Sequence, residues 1–373
     1  MLSDPNLNEI LVCPITRQPL VLMPLSEAEK RMNGKPRSRR QLTDAAGGVS
    51  NPVGVTDTVL VREDGMLAYP VVDDIPILLA PEALFVGDEE PSFDLTDPKY
   101  AEAYVEMDVY NATAAESECK LENGDAWTIL PTEMAATDEE KRGFPAPWGR
   151  WVDAPHDSAA QWDAYLHLGK MDGRRLLQLG GSGTHAVKFA MAGAAMAWLV
   201  TPMLGEARLA RSLADSAGMG DKFQAIVGIA EEIPLLSATF DGIFAGGCLH
   251  HTLTDIALPE IARVLRDGGK FSATEPWRAP LYSIGTKLMG QREHAYCKPL
   301  DDERLRPLEN SFSTMSVIGH GTLTRYPLIA LGKLGLPITK SVPWHLGKID
   351  DAICSMIPGA RRMGSSVAVL ATK

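Results

Sequence analysis

The sequence predicts an α/β protein whose main sheet is mostly parallel with helices on both faces, joined to a smaller β-rich unit at the amino terminus. Two observations carry this. From residue 173 onward, short apolar strand patterns alternate with amphipathic helical ones, the signature of βαβ crossovers. Residues 1–81 hold β-type segments separated by a polar, glycine-bearing loop. The 373 residues, 45% hydrophobic and 23% charged, can bury one large core and one small one.

In the amino-terminal unit the strand segments are "EILVCPITRQPLVLM" and "TVLVREDGMLAYPVVDDIPILL". They resemble the short zinc-ribbon-like domain found as a methyltransferase activator and sometimes fused to methyltransferases, whose typical ending stands here as "YPVVDDIPILL", Tyr69 to Leu79. Cys13 takes the place of the first metal ligand. Thr16 stands where its CxxC partner would be, and "VREDG" replaces the second pair. One thiolate cannot make a tetrahedral zinc site, so the unit is expected to be metal-free and used for packing.

Residues 82–172 combine a helical stretch, "DEEPSFDLTDPKYAEAYVEMDVYNATAAE", with the proline- and glycine-broken "GFPAPWGRWVDAPHD". Four of the seven tryptophans, Trp127, Trp148, Trp151 and Trp162, fall here. A loop-rich segment cannot bury that aromatic surface alone, so it lies over another domain, either as a lid on a pocket or as a linker anchored to the core.

The third unit, 173–373, starts with the strand "RRLLQLG" and the helix "THAVKFAMAG". The strand "AMAWLVT", the helix "GEARLARSLADSAG" and the strand "FQAIVG" follow. Then come the strand "FDGIFAGG", the helix "DIALPEIARVLRDGG" and the strand "KFSATEP". "SFSTMSVIGHG" and "SSVAVLATK" add two edge strands, and no internal repeat is evident.

A glycine turn between strand and helix, "GGSG" from Gly180 to Gly183, suits close approach of a nucleotide cofactor. It is not GxGxxG, and no acid ends the second strand, which argues against a nicotinamide cofactor. The ordered set "GIAEEIPLLSATFDGIFAGGCLHHTLTDIALPEIARVLRDGGKFSATEPW", Gly228 to Trp277, resembles the class I S-adenosylmethionine-dependent methyltransferases of the small-molecule branch, most specifically in "AEEIP…FD" and "RVLRDGG". The resemblance covers about residues 173–277 and implies a Rossmann-like, mostly parallel seven-stranded sheet with S-adenosylmethionine as cofactor.

Carried over, the resemblance assigns Gln178, Gly180, Gly181 and Gly183 to the turn that meets the amino-acid portion of the cofactor and Thr201 to the ribose region. It assigns Ala230 and Glu231 to the adenine segment and Cys248 to His250 to the wall beside the methyl group. Three positions depart from the family pattern. Gln178 replaces the first acid of the turn, Thr201 or Pro202 occupies the ribose-acid region, and Ile229 stands where the adenine-binding Asp would be. Each loss removes a charge-assisted hydrogen bond worth about 1.5–3 kcal/mol. Glu206 or backbone amides are the available compensation.

Strand carboxyl ends face the ligand crevice in an open α/β sheet, so His250, His251 and Glu275 are placed to meet substrate. Histidine can take a proton near neutral pH. The stretch from Glu275 to Pro307 adds Trp277, Arg278, Tyr282, Lys287, Arg292, His294, Tyr296 and Lys298, with His294 a further candidate base and the cations suited to an anionic substrate. His320, Arg325 and Tyr326 follow in "IGHGTLTRYP". Insertions near 276–311 and 321–364 either wall a substrate pocket or pack against a second copy of the chain, which leaves a homo-oligomer open.

Whole-chain properties narrow the classes. A net charge of −12 disfavours non-specific binding to nucleic acid or anionic lipid, the run "KPRSRR" notwithstanding. "FAMAGAAMAWLV" is too short for a membrane span. The start lacks a secretory pattern, and five cysteines without a CxxC pair suggest no disulfide framework, so the cytoplasm is expected. Without a GxSxG elbow or an HExxH pair, neither a serine hydrolase nor a zincin is indicated, and no metal site is expected. The leading reading is an enzyme transferring methyl from S-adenosylmethionine to a small, anionic molecule. A repurposed fold doing hydrolytic or dehalogenating chemistry, and a non-catalytic partner protein, are the alternatives.

Overall fold

The computed structural model describes residues 7–40, 53–87, 97–122, 158–280, 282, 298–322, 334, 341–357 and 359–373. The amino-terminal strands are β1 (Leu20–Pro24), β2 (Arg37–Ser38), β3 (Thr58–Arg62), β4 (Leu67–Val72), β5 (Ile75–Pro76) and β6 (Leu84–Phe85), with helix α1 (Leu25–Arg31) after β1. They form an antiparallel sheet in the order β1-β3-β4-β6-β2, with β5 on β4. Val59, Leu60 and Val61 of β3 are all fully buried, because one face of the sheet packs on α1 and the other on the main body. Cys13 is buried with its thiol 3.2 Å from the Tyr69 hydroxyl.

The main sheet comprises β7 (Arg175–Leu179), β8 (Met196–Thr201), β9 (Phe223–Val227), β10 (Phe240–Gly246), β11 (Leu265–Pro276), β12 (Thr314–His320) and β13 (Ser366–Thr372). Their order is β12-β13-β11-β10-β7-β8-β9, with β13 antiparallel to both neighbours and the pairs from β11 to β9 parallel. This is the mostly parallel, seven-stranded Rossmann-like sheet that the sequence led us to expect. Around it stand α2 (Pro98–Glu122), α3 (Ser158–Leu168), α4 (Thr184–Met191), α5 (Leu204–Ser216), α6 (Thr254–Val264) and α7 (Ser341–Met356). Every residue of β8 and β9 is buried, as expected of parallel strands covered on both faces.

On one face, Tyr104 of α2, Tyr165 of α3, Phe189 of α4 and Leu213 of α5 pack into a single core. On the other, Leu258 and Ile261 of α6 share a core with Leu11, Leu20 and Tyr69 of the small unit. The small unit also closes the sheet's edge: Ile77 bridges Val227 of β9, and the Leu78 N–H donates to the Val227 carbonyl at 2.7 Å. An otherwise open edge strand is thereby covered, and the loop after β9 is held in place.

Two expectations need correction. The helix in "DIALPEIARVLRDGG" stops at Val264, because Leu265 already pairs with Phe240 and its side chain is buried in the sheet. The segment up to Lys270 then bulges, turning at Gly268 with φ +73°. The carboxyl-terminal strand β13 is an interior strand and not an edge, since β11 and β12 flank it. Its apolar run Val367–Val369 is buried, whereas β12 begins with exposed Thr314, Met315 and Ser316.

Of the four tryptophans singled out, Trp162 is buried on α3, and Trp127, Trp148 and Trp151 lie outside the described residues. No described helix is long and apolar enough to cross a membrane.

Candidate active site

Beyond the carboxyl ends of β7 to β10, where the chain order reverses across the sheet, lies a cleft of about 770 Å³, part of it open to solvent. Its floor is the turn after β7. Gly180 has φ +68°, and a Cβ there would lie 2.4 Å from Cys248 Cβ; at Gly183, φ +75°, it would lie 2.4 Å from Ala210 Cβ. Glycine is therefore required twice, once for contact with the loop after β10 and once for contact with α5.

Gln178 is buried beneath this turn. Its amide NH2 donates to the Gly180 carbonyl at 2.7 Å, and its amide oxygen accepts from the Ala186 N–H at 2.8 Å. The side chain staples strand, turn and helix together. It is thus engaged within the turn and, like Gly183, does not line the cleft, which differs from the cofactor contact that the sequence suggested for both.

At the end of β8 the buried Thr201 donates its hydroxyl to Glu206 Oε2 at 2.6 Å, and both residues line the cleft. Glu206 lies in the first turn of α5, where the helix dipole favours an anion. Burial pushes its carboxyl above the usual range, and the Thr201 hydrogen bond works against that rise. An acidic group is thus present at this wall although strand β8 itself supplies none.

After β9, Ile229, Ala230 and Glu231 line the next stretch of wall. Burial pushes the Glu231 carboxyl up to about 7, while its acceptance of the Leu253 N–H at 2.7 Å favours the charged form. After β10 come Gly247, Cys248, His251 and Thr252. Burial raises the Cys248 thiol well above its ordinary value, and the thiol donates to the Leu179 carbonyl at 3.2 Å, so it is no ready nucleophile.

Helix α2 roofs the cleft with Lys99, Glu102, Ala103, Glu106 and Tyr110. Side-chain contacts with several parts of the chain fasten it. Tyr104 donates to Glu82, which also pairs with the buried Arg40 at 2.8 Å. Lys99 and Tyr100 both reach Glu232 at 2.5 Å. His251 Nδ1 lies 2.8 Å from Glu102 Oε1.

Glu275, suggested by the sequence as a substrate contact, is 1% exposed and fully engaged inside the protein. Its Oε1 accepts from the backbone N–H of Cys248 and Leu249 at 2.9 and 2.8 Å, and its Oε2 lies 2.8 Å from His250 Nδ1. The carboxylate thereby fixes the short turn Leu249–His251 and aims the His250 ring, with Nδ1–H as donor and Nε2 left as the basic atom. His250 and His251 rings lie 4.0 Å apart, centroid to centroid.

Trp277 is partly buried against the core and its N–H donates to the Ser365 carbonyl. Arg278 is 3.5 Å from Asp301 and lies over the Tyr282 ring. None of these lines the cleft. Arg292, His294, Tyr296 and Arg325 lie outside the described residues. Of the cofactor candidates, Gly180, Gly181, Thr201, Ala230, Glu231 and Cys248 share the one cleft. Sequence reasoning allowed residues 82–172 as a lid on a pocket but singled out none of the α2 side chains that line the cleft. The signal was there in Glu102 and Glu106, which at i and i+4 fall on one helix face.

Comparison with known proteins adds the following. Residues 177–273 match the family model described as a methyltransferase domain. A UPF0434 protein of Acidovorax sp. (strain JS42) is 33% identical over 87 residues, covering 23% of this chain and 93% of that protein, and one of Acidovorax ebreus (strain TPSY) matches equally. Among solved structures, geranyl diphosphate methyltransferase in complex with GPP and sinefungin is similar at 18% identity, covering 73% of this chain and 99% of that one with a TM-score of 0.46. Geranyl diphosphate C-methyltransferase from Streptomyces coelicolor A3(2) is similar at 16% identity, covering 65% and 85%, with a TM-score of 0.41.

Proposed function

We propose that this chain, which belongs to the methyltransferase-domain family through residues 177–273 and to the UPF0434 family through an 87-residue stretch, transfers a methyl group from S-adenosylmethionine to a small molecule. When bound, that cofactor supplies an electrophilic methyl group on a sulfonium. The donor set of the cleft fits it. Glu206, held by Thr201, offers a buried carboxylate to a ribose diol at the end of β8. Ile229, Ala230 and Met203 offer apolar surface to an adenine ring, and the Gly180–Gly181 backbone leaves room for close approach. The observation that carries the reading is Glu206, an acid from the helix doing what β8 lacks.

Rate enhancement in such a site comes mainly from holding acceptor and methyl group in line, with a base to remove the acceptor's proton. His250, which Glu275 orients, is the proposed base, although the cleft wall here is formed by Cys248 and His251 and not by His250 itself. His294 and the cationic stretch 278–298 remain the proposed acceptor-binding elements, suited to an anionic small molecule. A cytoplasmic setting remains part of the proposal. The same reading divides the chain into a packing unit (1–81), a roof segment (82–172) and a catalytic unit (173–373).

Isothermal titration with S-adenosylmethionine and S-adenosylhomocysteine tests the proposal. Micromolar binding by the wild type is expected, weakened roughly tenfold or more in Glu206→Gln, in line with loss of a charge-assisted hydrogen bond. No binding at millimolar ligand overturns it.

A further inference from the structure

We propose that Glu102, Glu106 and His251 form a binding site for a divalent first-row metal ion, Zn²⁺ foremost, at the roof of the cleft. Two carboxylates from one turn of α2 face an imidazole from the loop after β10, and one ligand atom from each lies within 4.8 Å of the others. His251 Nδ1 is 2.8 Å from Glu102 Oε1 and 3.7 Å from Glu106 Oε2. Tetrahedral coordination with bonds of about 2.0–2.1 Å separates neighbouring ligand atoms by roughly 3.4 Å, so around an ion the His251–Glu102 spacing of 2.8 Å would widen by about 0.6 Å and the His251–Glu106 spacing of 3.7 Å would narrow by about 0.3 Å.

Charge points the same way. Like charges at i and i+4 on a helix repel, and His251 faces both carboxylates. Glu102 is 8% exposed, and His251 is its side-chain partner among the described residues. Lys99, one turn earlier on α2, is engaged with Glu232. A dication between the three groups offsets this concentration of negative charge.

The ligand set decides the class of ion. One nitrogen and two carboxylate oxygens suit Zn²⁺, Mn²⁺ or Co²⁺, whereas Mg²⁺ and Ca²⁺ prefer all-oxygen shells. Glu102, Glu106 and His251 all line the cleft, so an ion held between them would sit at its wall. An oxyanion or hydroxyl of a small molecule in the cleft could complete the shell there. The site does not depend on methyl transfer: it would exist whatever the cofactor.

The experiment is titration of the chelator-treated, dialysed full-length protein with Zn²⁺, and with Mg²⁺ for comparison. One equivalent of Zn²⁺ is expected, at least about tenfold tighter than Mg²⁺, and weakened roughly tenfold or more in Glu102→Gln, Glu106→Gln and His251→Ala. Thermal unfolding of each variant identifies any that fail to fold, and Glu106→Gln, at a part-exposed position, keeps the test open if the others do. Absence of stoichiometric binding, or Zn²⁺ affinity unchanged in Glu106→Gln, overturns the proposal. S-Adenosylmethionine titrated into the metal-free protein separates the two readings, because its binding there is independent of the ion.

Discussion

Gln178 illustrates how one residue can look like a lost function and be a gained constraint. By sequence it replaces an acid, yet both ends of its amide are used, one as donor to Gly180 and one as acceptor from Ala186. A carboxylate has no proton to give the Gly180 carbonyl. Gln178→Glu is therefore expected to destabilise the protein by about 1–3 kcal/mol at pH 7, with partial recovery at pH 5 as the acid protonates, read by urea unfolding at both values. Restoring the family's acid here would weaken the turn and leave the cleft wall unchanged. Glu206 shows the converse: an acid on α5 stands at the cleft wall where β8 supplies none, hydrogen-bonded to Thr201.

Within the strand–turn–helix element, the glycines differ in what they oppose. Gly180 and Gly181 both have positive φ, but only at Gly180 would a Cβ meet another atom below 3.0 Å, at Cys248 Cβ. Gly181→Ala is expected to cost about 1–2 kcal/mol, the strain of a left-handed residue, and Gly180→Ala clearly more, because the loop carrying Cys248 and the histidines must also move. Chemical denaturation of the two variants side by side checks the order. Helix α2 belongs to the segment that the sequence allowed as either a lid or a linker. Its contacts with Glu82, Glu232 and His251 fix a roof over the cleft, and each partner comes from a different part of the chain.

Across the whole molecule, a charge clamp joins the far edge of the main sheet to two helices. His320, at the end of β12, places Nε2 2.9 Å from Asp163 on α3 and Nδ1 3.0 Å from Asp351 on α7, with Arg361 also on Asp351 at 2.8 Å. Burial opposes charge on His320, but the hydrogen bonds from Asp163 and Asp351 outweigh it and push the imidazole's pKa up to about 9. Because the folded value exceeds the unfolded one of about 6.5, the clamp's contribution is full below pH 6.5 and is lost as pH rises through 9. Urea unfolding between pH 6 and 9.5 should show stability falling by roughly 2–3 kcal/mol, a slope that His320→Gln abolishes.

Much of the fold was written in local pattern. The βαβ alternation, the glycine turn and the β-rich amino-terminal unit follow from periodicity and turn chemistry, which act over a few residues and so leave their mark in a few residues. That "LRDGG" leaves the helix, and that the last strand lies inside the sheet, depended on which surfaces neighbours cover. The same division holds at the site. The turn was legible from its glycines, and the wall residues Ala230, Glu231 and Cys248 from the family resemblance of the loops after β9 and β10. The sequence offered Glu206 only as one of two compensations; that it meets Thr201 at the end of β8, that Glu275 is spent on His250, and that Glu102 and Glu106 meet His251 was decided by tertiary structure. Those pairings join residues from five to about 150 positions apart, and only the packing of α5, β11 and α2 around the sheet brings their side chains within hydrogen-bond reach.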